Sequence, residues 1–447
     1  MKTPICDFVR TYCEKETLRL HMPGHKGNAL LGMEPYDITE IEGADSLYEA
    51  SGIICESEAY AAGLFGTAAT FYSAEGSSLG IRAMLFLALL YAKEHGRNVK
   101  IVAGRNAHKT FVTAAGLLDF EIKWLAPKAG ASYLSCEVDL EELEYDLREE
   151  RPAAVYLTSP DYLGNLVNTR EIANICKKYD VLLLVDNAHG AYLKFLQESK
   201  HPMDLGADLC CDSAHKTLPV LTGGAYLHVA KGAPEIFAER AKEAMALFGS
   251  TSPSYLILQS LDMANRYIVE GYKEKLKDFL IKVEQIKAEL QRKGFAFIGQ
   301  EPLKLTMATK PYGYHGTEFS AELRKQGIET EFADPDYVVM MLSCEMGEAG
   351  LRRMADAIRR VRRRASIDEM PPEVNVPEQA MSVREAIFSP QEKVLSKESE
   401  GRILASLNVG CPPAVPIVVC GERITKEAIE AFEYYRIDDC NVVKEKC

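Results

Sequence analysis

The chain has 447 residues, of which 47% are hydrophobic and 26% charged, and its formal net charge is −13. This length predicts two or three packed domains, and the acidic balance argues against a general nucleic-acid or membrane-surface binder, because phosphate contacts need clustered Lys and Arg. The N-terminus lacks the apolar stretch of a signal peptide, and no apolar run is long enough for a membrane span. The twelve cysteines lack metal-site spacing and predict reduced core thiols in a cytoplasmic protein.

The predicted elements begin after an irregular arm, residues 1–50, which contains the Gly/Pro/His run LHMPGHKGN. From residue 51 onward, apolar strands alternate with amphipathic helices. In chain order these are the helix GSSLGIRAMLFLALLYAKEHG, the strand VKIVAG, a helix that opens on Asn106, the strand AAVYLTS, the helix TREIANICKKYD, the strand VLLLVD, and the strand-like runs ADLCCDSAHK and GGAYLHV.

This alternation is typical of an α/β fold with a mainly parallel sheet covered by helices on both faces. The predicted large domain covers residues 51–293 and ends in a long helix or a broken pair of helices (255–293). A smaller α+β C-terminal domain is predicted for residues 294–447, with a linker near 368–380. In such sheets ligands bind at the carboxyl ends of the strands, and His108, Asp186 and Lys216 all fall at predicted strand ends.

Lys216 lies in the segment SAHKTLPVLTGGA, shortly after a predicted strand. An ammonium group at the ligand-facing edge of a sheet is unfavourable unless it is paired or its pKa falls. A lysine that forms a Schiff base with a carbonyl cofactor meets this description, and Ser213 and His215 would then supply donors to a phosphate. The segment by itself is also compatible with an ordinary loop lysine.

Asp186 ends the apolar strand VLLLVD, so its carboxylate needs a cationic or protonated partner. A protonated pyridine nitrogen is one such partner, and His189 could reach the edge of the same ring. A helix-capping aspartate followed by a packed histidine is the alternative.

The turn AEGSSLG begins a helix with Gly76, Ser77 and Ser78, where backbone N–H groups and hydroxyls can bind phosphate. His108 could stack on a cofactor ring or be a structural histidine. Thr251 and Ser252 precede the long helix as phosphate ligands or as a helix cap.

The ordered motifs LHMPGHKGN, EGSSLGIRAML, RNAHKT, VDNAHGAYL, DSAHKTLP, TSPSYLILQSLD and CPPAVPIVVCGERI resemble the ornithine/lysine/arginine decarboxylases, which are pyridoxal-phosphate enzymes of the aspartate-aminotransferase fold type. The resemblance covers nearly the whole chain and is to the short form of the family, without the N-terminal receiver-like domain. It implies decarboxylation of an amino acid, a basic one above all, within polyamine metabolism, and a homodimer with shared active sites.

The resemblance also assigns roles to these residues. It implies that Lys216 forms the Schiff base and shuttles protons, that Asp186 pairs with the pyridine nitrogen, that His108 stacks on the ring and that His189 lies beside its edge. The implied phosphate ligands are Gly76, Ser77, Ser78, Ser213 and His215, with Thr251 or Ser252 coming from a neighbouring subunit.

Several positions depart from the family pattern. Glu75 stands where Asn is usual, Asp161 where Thr is usual, and Cys411 interrupts the usual C-terminal proline motif. For a basic substrate, Glu331, Asp334 and Glu422 are candidates to meet the distal cation.

Two other functions stay open. One is an aminotransferase or another pyridoxal-phosphate lyase on the same fold, with an Arg clamp hidden in RRMADAIRRVRRR; the other is a non-catalytic cofactor-binding regulatory protein. No metal site is predicted, since His21 and His25 lie in a Pro/Gly arm and not on a helix.

Overall fold

The computed structural model of the protein describes residues 1–128, 130–135, 137–407, 410–411 and 415–445, apart from the side chains of 410 and 411. The chain divides into two compact units, one made of Met1–Asn98 and Thr169–Lys277 and the other of Val99–Asn168 and Asp278–Cys447. Among the described helices, none is both long and apolar enough to cross a membrane.

The strands of the described chain are β1 (Ala69–Ser73), β2 (Lys100–Ala103), β3 (Glu121–Trp124), β4 (Ala154–Thr158), β5 (Leu182–Asp186), β6 (Leu209–Asp212), β7 (Ala225–Val229), β8 (Ala296–Ile298), β9 (Lys304–Ala308), β10 (Phe332–Ala333), β11 (Tyr337–Met341), β12 (Gln391–Leu395), β13 (Gly410–Cys411), β14 (Val415–Pro416) and β15 (Asp439–Val443).

The helices are α1 (Pro4–Glu14), α2 (Ile53–Phe65), α3 (Ser77–Glu94), α4 (Lys109–Leu118), α5 (Leu140–Glu150), α6 (Thr169–Lys178), α7 (Pro202–Leu205), α8 (Ala214–Thr217), α9 (Glu235–Ala246), α10 (Tyr255–Tyr267), α11 (Lys273–Arg292), α12 (Gly316–Arg324), α13 (Gly347–Arg360), α14 (Val383–Phe388) and α15 (Lys426–Tyr434). Short 3-10 turns lie at Glu34–Tyr36, Leu47–Glu49, Ala191–Phe195, Lys310–Tyr312, Cys344–Met346 and Ser396–Glu398.

The major sheet has seven strands among the described residues. Its strands in the first unit follow the order β1-β7-β6-β5, and those in the second follow the order β4-β2-β3. Pairs β5/β6, β2/β4 and β2/β3 are parallel. The predicted α/β class with a mainly parallel sheet is therefore confirmed.

Strand β7 is antiparallel to both of its neighbours, β1 and β6. A parallel return would need a crossover of a dozen or more residues with a helix of some length. The connection after β6 carries only the four-residue helix α8, so the chain turns back beside β6 instead.

A four-stranded antiparallel sheet, β10-β11-β9-β8, belongs to the second unit, together with the small pairs β12/β15 and β13/β14. Its apolar cluster includes Phe332, Val339, Leu404 and Phe432. The region after residue 294 thus contains both helices and antiparallel strands, as the sequence predicts for a smaller α+β domain. The exact domain boundaries stay a prediction.

Two sequence predictions on local structure are wrong. The arm 1–50 is not irregular throughout, because it begins with α1, whose first N–H groups at Ile5 and Cys6 donate to the buried carboxylate of Asp262 at 3.0 Å. The helix expected to open on Asn106 instead opens at Lys109, because His108 is its N-cap and accepts a hydrogen bond from the N–H of Thr110. The contact with the distant Asp262 stabilises α1, and capping by the His108 side chain sets the start of α4.

The stretch 255–293, for which the sequence predicts either one long helix or a broken pair, is a broken pair of helices. Helix α10 ends at Tyr267, the segment Ile268–Tyr272 has π-type bonding, and Gly271 has a φ of 107° there. Helix α11 then runs to Arg292. A glycine is suited to this break, since positive φ is unfavourable for other residues.

Helix α3 packs closely on strand β6 at Gly80, where an added Cβ would lie 2.6 Å from Sγ of the buried Cys211. We expect Gly80→Ala to destabilise the protein by about 1–3 kcal/mol through overpacking, and to be less harmful in a Cys211→Ala background, which removes the sulfur. Urea unfolding of the single and double variants measures this coupling.

The matched control is Gly63→Ala in α2, where a Cβ meets no atom within 4 Å. This variant should gain up to about 1 kcal/mol from helix propensity alone. Equal losses for Gly80→Ala in both cysteine backgrounds would contradict the proposed contact.

Candidate active site

All but one of the residues predicted to act on or bind the cofactor lie in the first unit. Lys216 lies in the short helix α8 after β6, Asp186 ends β5, and Ser77 and Ser78 begin α3. His108 lies in the second unit, at the start of α4.

The start of α3 is a turn lined by hydroxyl groups. Ser213 Oγ donates to Ser77 Oγ at 2.8 Å, and the N–H of Gly76 donates to the carbonyl of Gly223 at 2.7 Å. Gly76 has a φ of 73°, a conformation that a side chain would strain. Since α3 has 18 residues, the positive end of its dipole favours an anion at this end.

His215 lies at the same edge of the unit. Its Nδ1 is 3.0 Å from the carbonyl oxygen of Gly224 and therefore carries the proton that is donated there. Burial, and secondarily the nearby Lys216, lowers the pKa of His215. A bound dianion would act in the opposite direction and favour the imidazolium, which could then donate through Nε2.

Strand β5 delivers Asp186 at a buried position, where the residue is 2% exposed. One carboxylate oxygen, Oδ1, accepts from the N–H of Ala188 at 3.1 Å. His189 is 5% exposed and lies in the turn that follows. A buried carboxylate here is suited to hold a protonated nitrogen of a ligand.

The departure at Glu75 has a structural explanation. Its carboxylate accepts a hydrogen bond of 2.6 Å from the N–H of Ser250. That bond ties the turn before α3 to the loop that carries Thr251 and Ser252, both of which are exposed. Glu75 is therefore engaged in holding this loop.

The departure at Asp161 is also accounted for, in the second unit. The two carboxylate oxygens accept from the backbone N–H and from the side-chain amide of Asn165, both at 2.8 Å. Asp161 thus closes its own turn. The side chain of Cys411 lies outside the described residues.

The three acidic residues that are candidates to bind the distal cation of a basic substrate have different surroundings in the second unit. Glu331 is exposed and accepts from the Tyr162 hydroxyl at 3.0 Å. Asp334 lines a cavity of about 320 Å³, and burial raises its pKa to about 7 against the hydrogen bonds from Tyr337 and Asp336. Glu422 is fully buried and pairs with Arg105 at 2.8 Å, which disfavours it as the residue that binds a substrate cation.

The sequence reasoning passed over Asp212, the residue directly before Ser213. It is 0% exposed, as are His201 and His228. The sequence signal for Asp212 is a carboxylate that directly follows the apolar residues LCC, as Asp186 directly follows VLLLV.

The fold is that of pyridoxal-phosphate-dependent decarboxylases and related enzymes. Lysine decarboxylase A from Pseudomonas aeruginosa superposes with a TM-score of 0.81 over 98% of this chain and 80% of its own, at 18% identity. The match at this identity establishes the architecture.

The Orn/Lys/Arg decarboxylase major domain matches residues 3–307, and the C-terminal domain of the same family matches residues 362–440. An uncharacterized Bacillus subtilis protein, YaaO, is 32% identical over 96% of this chain and 93% of its own length. An arginine decarboxylase of Bacillus subtilis is 28% identical over 96% and 92%. The chain belongs to the Orn/Lys/Arg decarboxylase family.

The buried pair Arg105–Glu422 generates a stability prediction. We expect Glu422→Gln to destabilise the protein by about 3–5 kcal/mol, because Arg105 would keep an uncompensated buried charge. Replacing both partners, as Arg105→Met with Glu422→Leu, should recover most of the loss. Chemical denaturation of the three proteins measures the effect.

Glu137→Gln is the control, since Glu137 pairs with Lys128 at the surface, where the side chains are 72% and 44% exposed. Its effect should stay below about 1 kcal/mol. A loss for Glu422→Gln no larger than that of the control would show that the buried pair contributes little.

Proposed function

We propose that this chain uses pyridoxal phosphate to remove the α-carboxylate of a basic amino acid, namely arginine, lysine or ornithine, as CO2 and to release the corresponding amine. The observation that carries the proposal is the grouping, in one unit, of a lysine, a buried strand-end aspartate and a hydroxyl-lined helix start. The names of the relatives, arginine and lysine decarboxylases, support the reaction class.

The phosphate of the cofactor fits the start of α3. Gly76, Ser77 and Ser78 would offer backbone N–H groups and hydroxyls, and Ser213 adds a hydroxyl that already lies 2.8 Å from Ser77 Oγ. His215 would contribute a donor on protonation. Thr251 and Ser252 are exposed and would serve the phosphate of a second copy.

The ring of the cofactor would lie against Asp186. A buried carboxylate, here 2% exposed, would favour a proton on a facing pyridine nitrogen, because the negative charge stabilises the protonated form. His189 would sit at the ring edge, and His108 would stack on the ring face. The Nδ1 atom of His108 accepts from the N–H of Thr110, which orients the imidazole.

Lys216 would hold the cofactor aldehyde covalently and later deliver a proton from Nζ to the α-carbon of the product. Its half-buried position beside His215 suits an amine that is shielded from water yet accessible to a cofactor aldehyde. When bound, pyridoxal phosphate supplies an electron-poor ring that accepts the electron pair left by the departing carboxylate.

The aminotransferase alternative needs an arginine that clamps a carboxylate. In the Arg-rich helix α13, Arg352 pairs with Glu348, and Arg359 pairs with both Asp356 and Glu289. These ion pairs account for two arginines of the run as parts of a charged helix face. Decarboxylation is the better supported reaction, because the named relatives are arginine and lysine decarboxylases.

The test of the function pairs product analysis with a lysine variant. We expect the purified protein with pyridoxal phosphate to release CO2 and the matching amine from at least one of arginine, lysine and ornithine, and borohydride reduction to fix the cofactor on the peptide that contains Lys216. Lys216→Ala should lose both signals. Mass spectrometry and labelled-CO2 capture measure them.

Lys200→Ala, at an exposed lysine of the same unit, is the control and should keep both. Keto-acid formation without CO2 would favour the aminotransferase. Cofactor fixation without any product would favour the regulatory protein. CO2 release that persists in Lys216→Ala would overturn the assignment of this lysine.

We also propose a homodimer and a cytoplasmic location. The arm exposes four leucines by 80% or more, namely Leu18, Leu20, Leu30 and Leu31, and clustered exposed apolar side chains indicate an association surface. The nine described cysteines carry free thiols, which supports a reducing compartment.

The dimer is tested in the arm. The protein should sediment as a dimer, and Leu30→Asp with Leu31→Asp should shift it toward a monomer, because two charges would enter the apolar contact. Leu117→Asp, at a leucine that is 54% exposed in the second unit, is the control and should leave the dimer intact. A monomeric parent protein would refute the proposal.

A further inference from the structure

Asp212 is the last residue of β6 and directly precedes Ser213 in the loop that carries Lys216. The residue has no exposed surface. A carboxylate in such a place is strongly unfavourable unless several donors surround it.

The described neighbours give Asp212 four donors. One oxygen, Oδ2, lies 2.9 Å from Nε2 of His201 and 3.1 Å from Nε2 of His228. The other, Oδ1, accepts from Nδ2 of Asn187 at 2.7 Å and from the Cys210 thiol at 3.5 Å. His201, His228 and Asn187 are themselves fully buried.

The outer contacts of the two imidazoles set their proton positions. Nδ1 of His201 accepts from the N–H of Met203 at 3.3 Å, so its proton is on Nε2 and is donated to Asp212. Nδ1 of His228 lies 2.8 Å from the Thr70 hydroxyl, which can donate to it. Both rings can thus donate to the carboxylate through Nε2.

The charge states agree with this hydrogen-bond pattern. Burial opposes ionisation of Asp212, but His201 and His228 outweigh it and hold the pKa of the carboxyl well below its usual range. Burial lowers the pKa of His228 against the attraction of Asp212. Asp212 is therefore a fixed anion inside the first unit.

The same carboxylate connects two strand ends. Asn187, which donates to Asp212, is the neighbour of Asp186 at the end of β5, and its N–H also donates to the carbonyl of Cys211 in β6 at 2.9 Å. On the other side, Asp212 is covalently joined to Ser213. The ends of β5 and β6 are thus held in one register by a buried, charge-assisted contact.

We infer that Asp212 is a positioning residue: its carboxylate holds together the strand ends that carry Asp186 and Lys216, and it keeps a negative charge beside the cofactor site. The inference rests on the proposed function, because it assigns the effect of that charge to the bound cofactor. A nearby anion favours the protonated, cationic form of the lysine–cofactor link.

A metal ion is the competing interpretation, since ligand atoms of His201, Cys210 and Asp212 lie within 4.8 Å of one another. A thiol must lose its proton to bind a metal. Burial raises the pKa of Cys210 well above its usual value, and Asp212 adds to this. The imidazole N–H groups also point at the carboxylate, so hydrogen bonding explains the cluster better.

The test compares Asp212→Asn with Asp262→Asn, both prepared with and without pyridoxal phosphate. Asp262 is an equally buried carboxylate of the same unit that accepts from Ile5, Cys6 and Ser57, so both variants should lose stability. Only Asp212→Asn should lower the apparent pKa at which the visible cofactor band titrates, by about one unit, and weaken cofactor binding about tenfold.

A second variant separates position from charge. Asn187→Ala keeps the carboxylate and the backbone bond to Cys211 but removes the side-chain hydrogen bond between Asp212 and the end of β5. It should weaken cofactor binding several-fold while the pKa of the visible band stays within about 0.3 units of the parent, because the charge remains. If Asp212→Asn fails to fold, the binding constant of Asn187→Ala decides the positioning role.

The outcomes distinguish this inference from the proposed function. A parent protein without a visible cofactor band would refute both. A normal parent in which Asp212→Asn matches Asp262→Asn in band pKa and cofactor affinity would overturn the inference alone. Unchanged affinity in Asn187→Ala would overturn the positioning role, and one equivalent of tightly bound metal in the purified protein would replace the network with a metal site.

Discussion

The site depends on the compensation of buried negative charge where β5 and β6 end. Asp186 and Asp212 are 2% and 0% exposed, and each ends an apolar strand. Four donors surround Asp212 within the protein, so its charge is met by the fold. Asp186 is at the edge where a ligand's protonated nitrogen can meet it. One carboxylate thus serves the scaffold, and the other is suited to serve the ligand.

The start of helix α3 favours negative charge, whereas the strand ends carry buried carboxylates. Helix α3 begins at Ser77 with the positive end of its dipole, and its approach to β6 is close enough that Gly80 has no room for a side chain. Under the proposed function, this turn would hold the phosphate of the cofactor and Asp186 the protonated nitrogen of its ring, and Lys216 would supply the covalent attachment.

Buried charge in the second unit is handled differently. Arg105 and Glu422 pair with each other at 2.8 Å, and Lys304 pairs with Glu301 at 2.7 Å with both side chains 1% exposed. Such pairs are weak sources of net stability, but loss of one partner is strongly destabilising. The Arg105–Glu422 pair shows that Glu422, which lies in the family-like motif CPPAVPIVVCGERI, has a structural contact.

The sequence by itself determined the alternation of apolar strands and amphipathic helices, and with it the sheet class and the strand ends that carry Asp186 and Lys216. These follow from local periodicity, which the chain shows over each short window. The tertiary structure alone decided that β7 returns antiparallel, that α1 is a helix capped by the distant Asp262, that Glu75 holds the Ser250 loop and that Asp212 lies between two imidazoles. Each of these depends on residues far apart in the chain whose contacts exist only after folding, so no local pattern could show them.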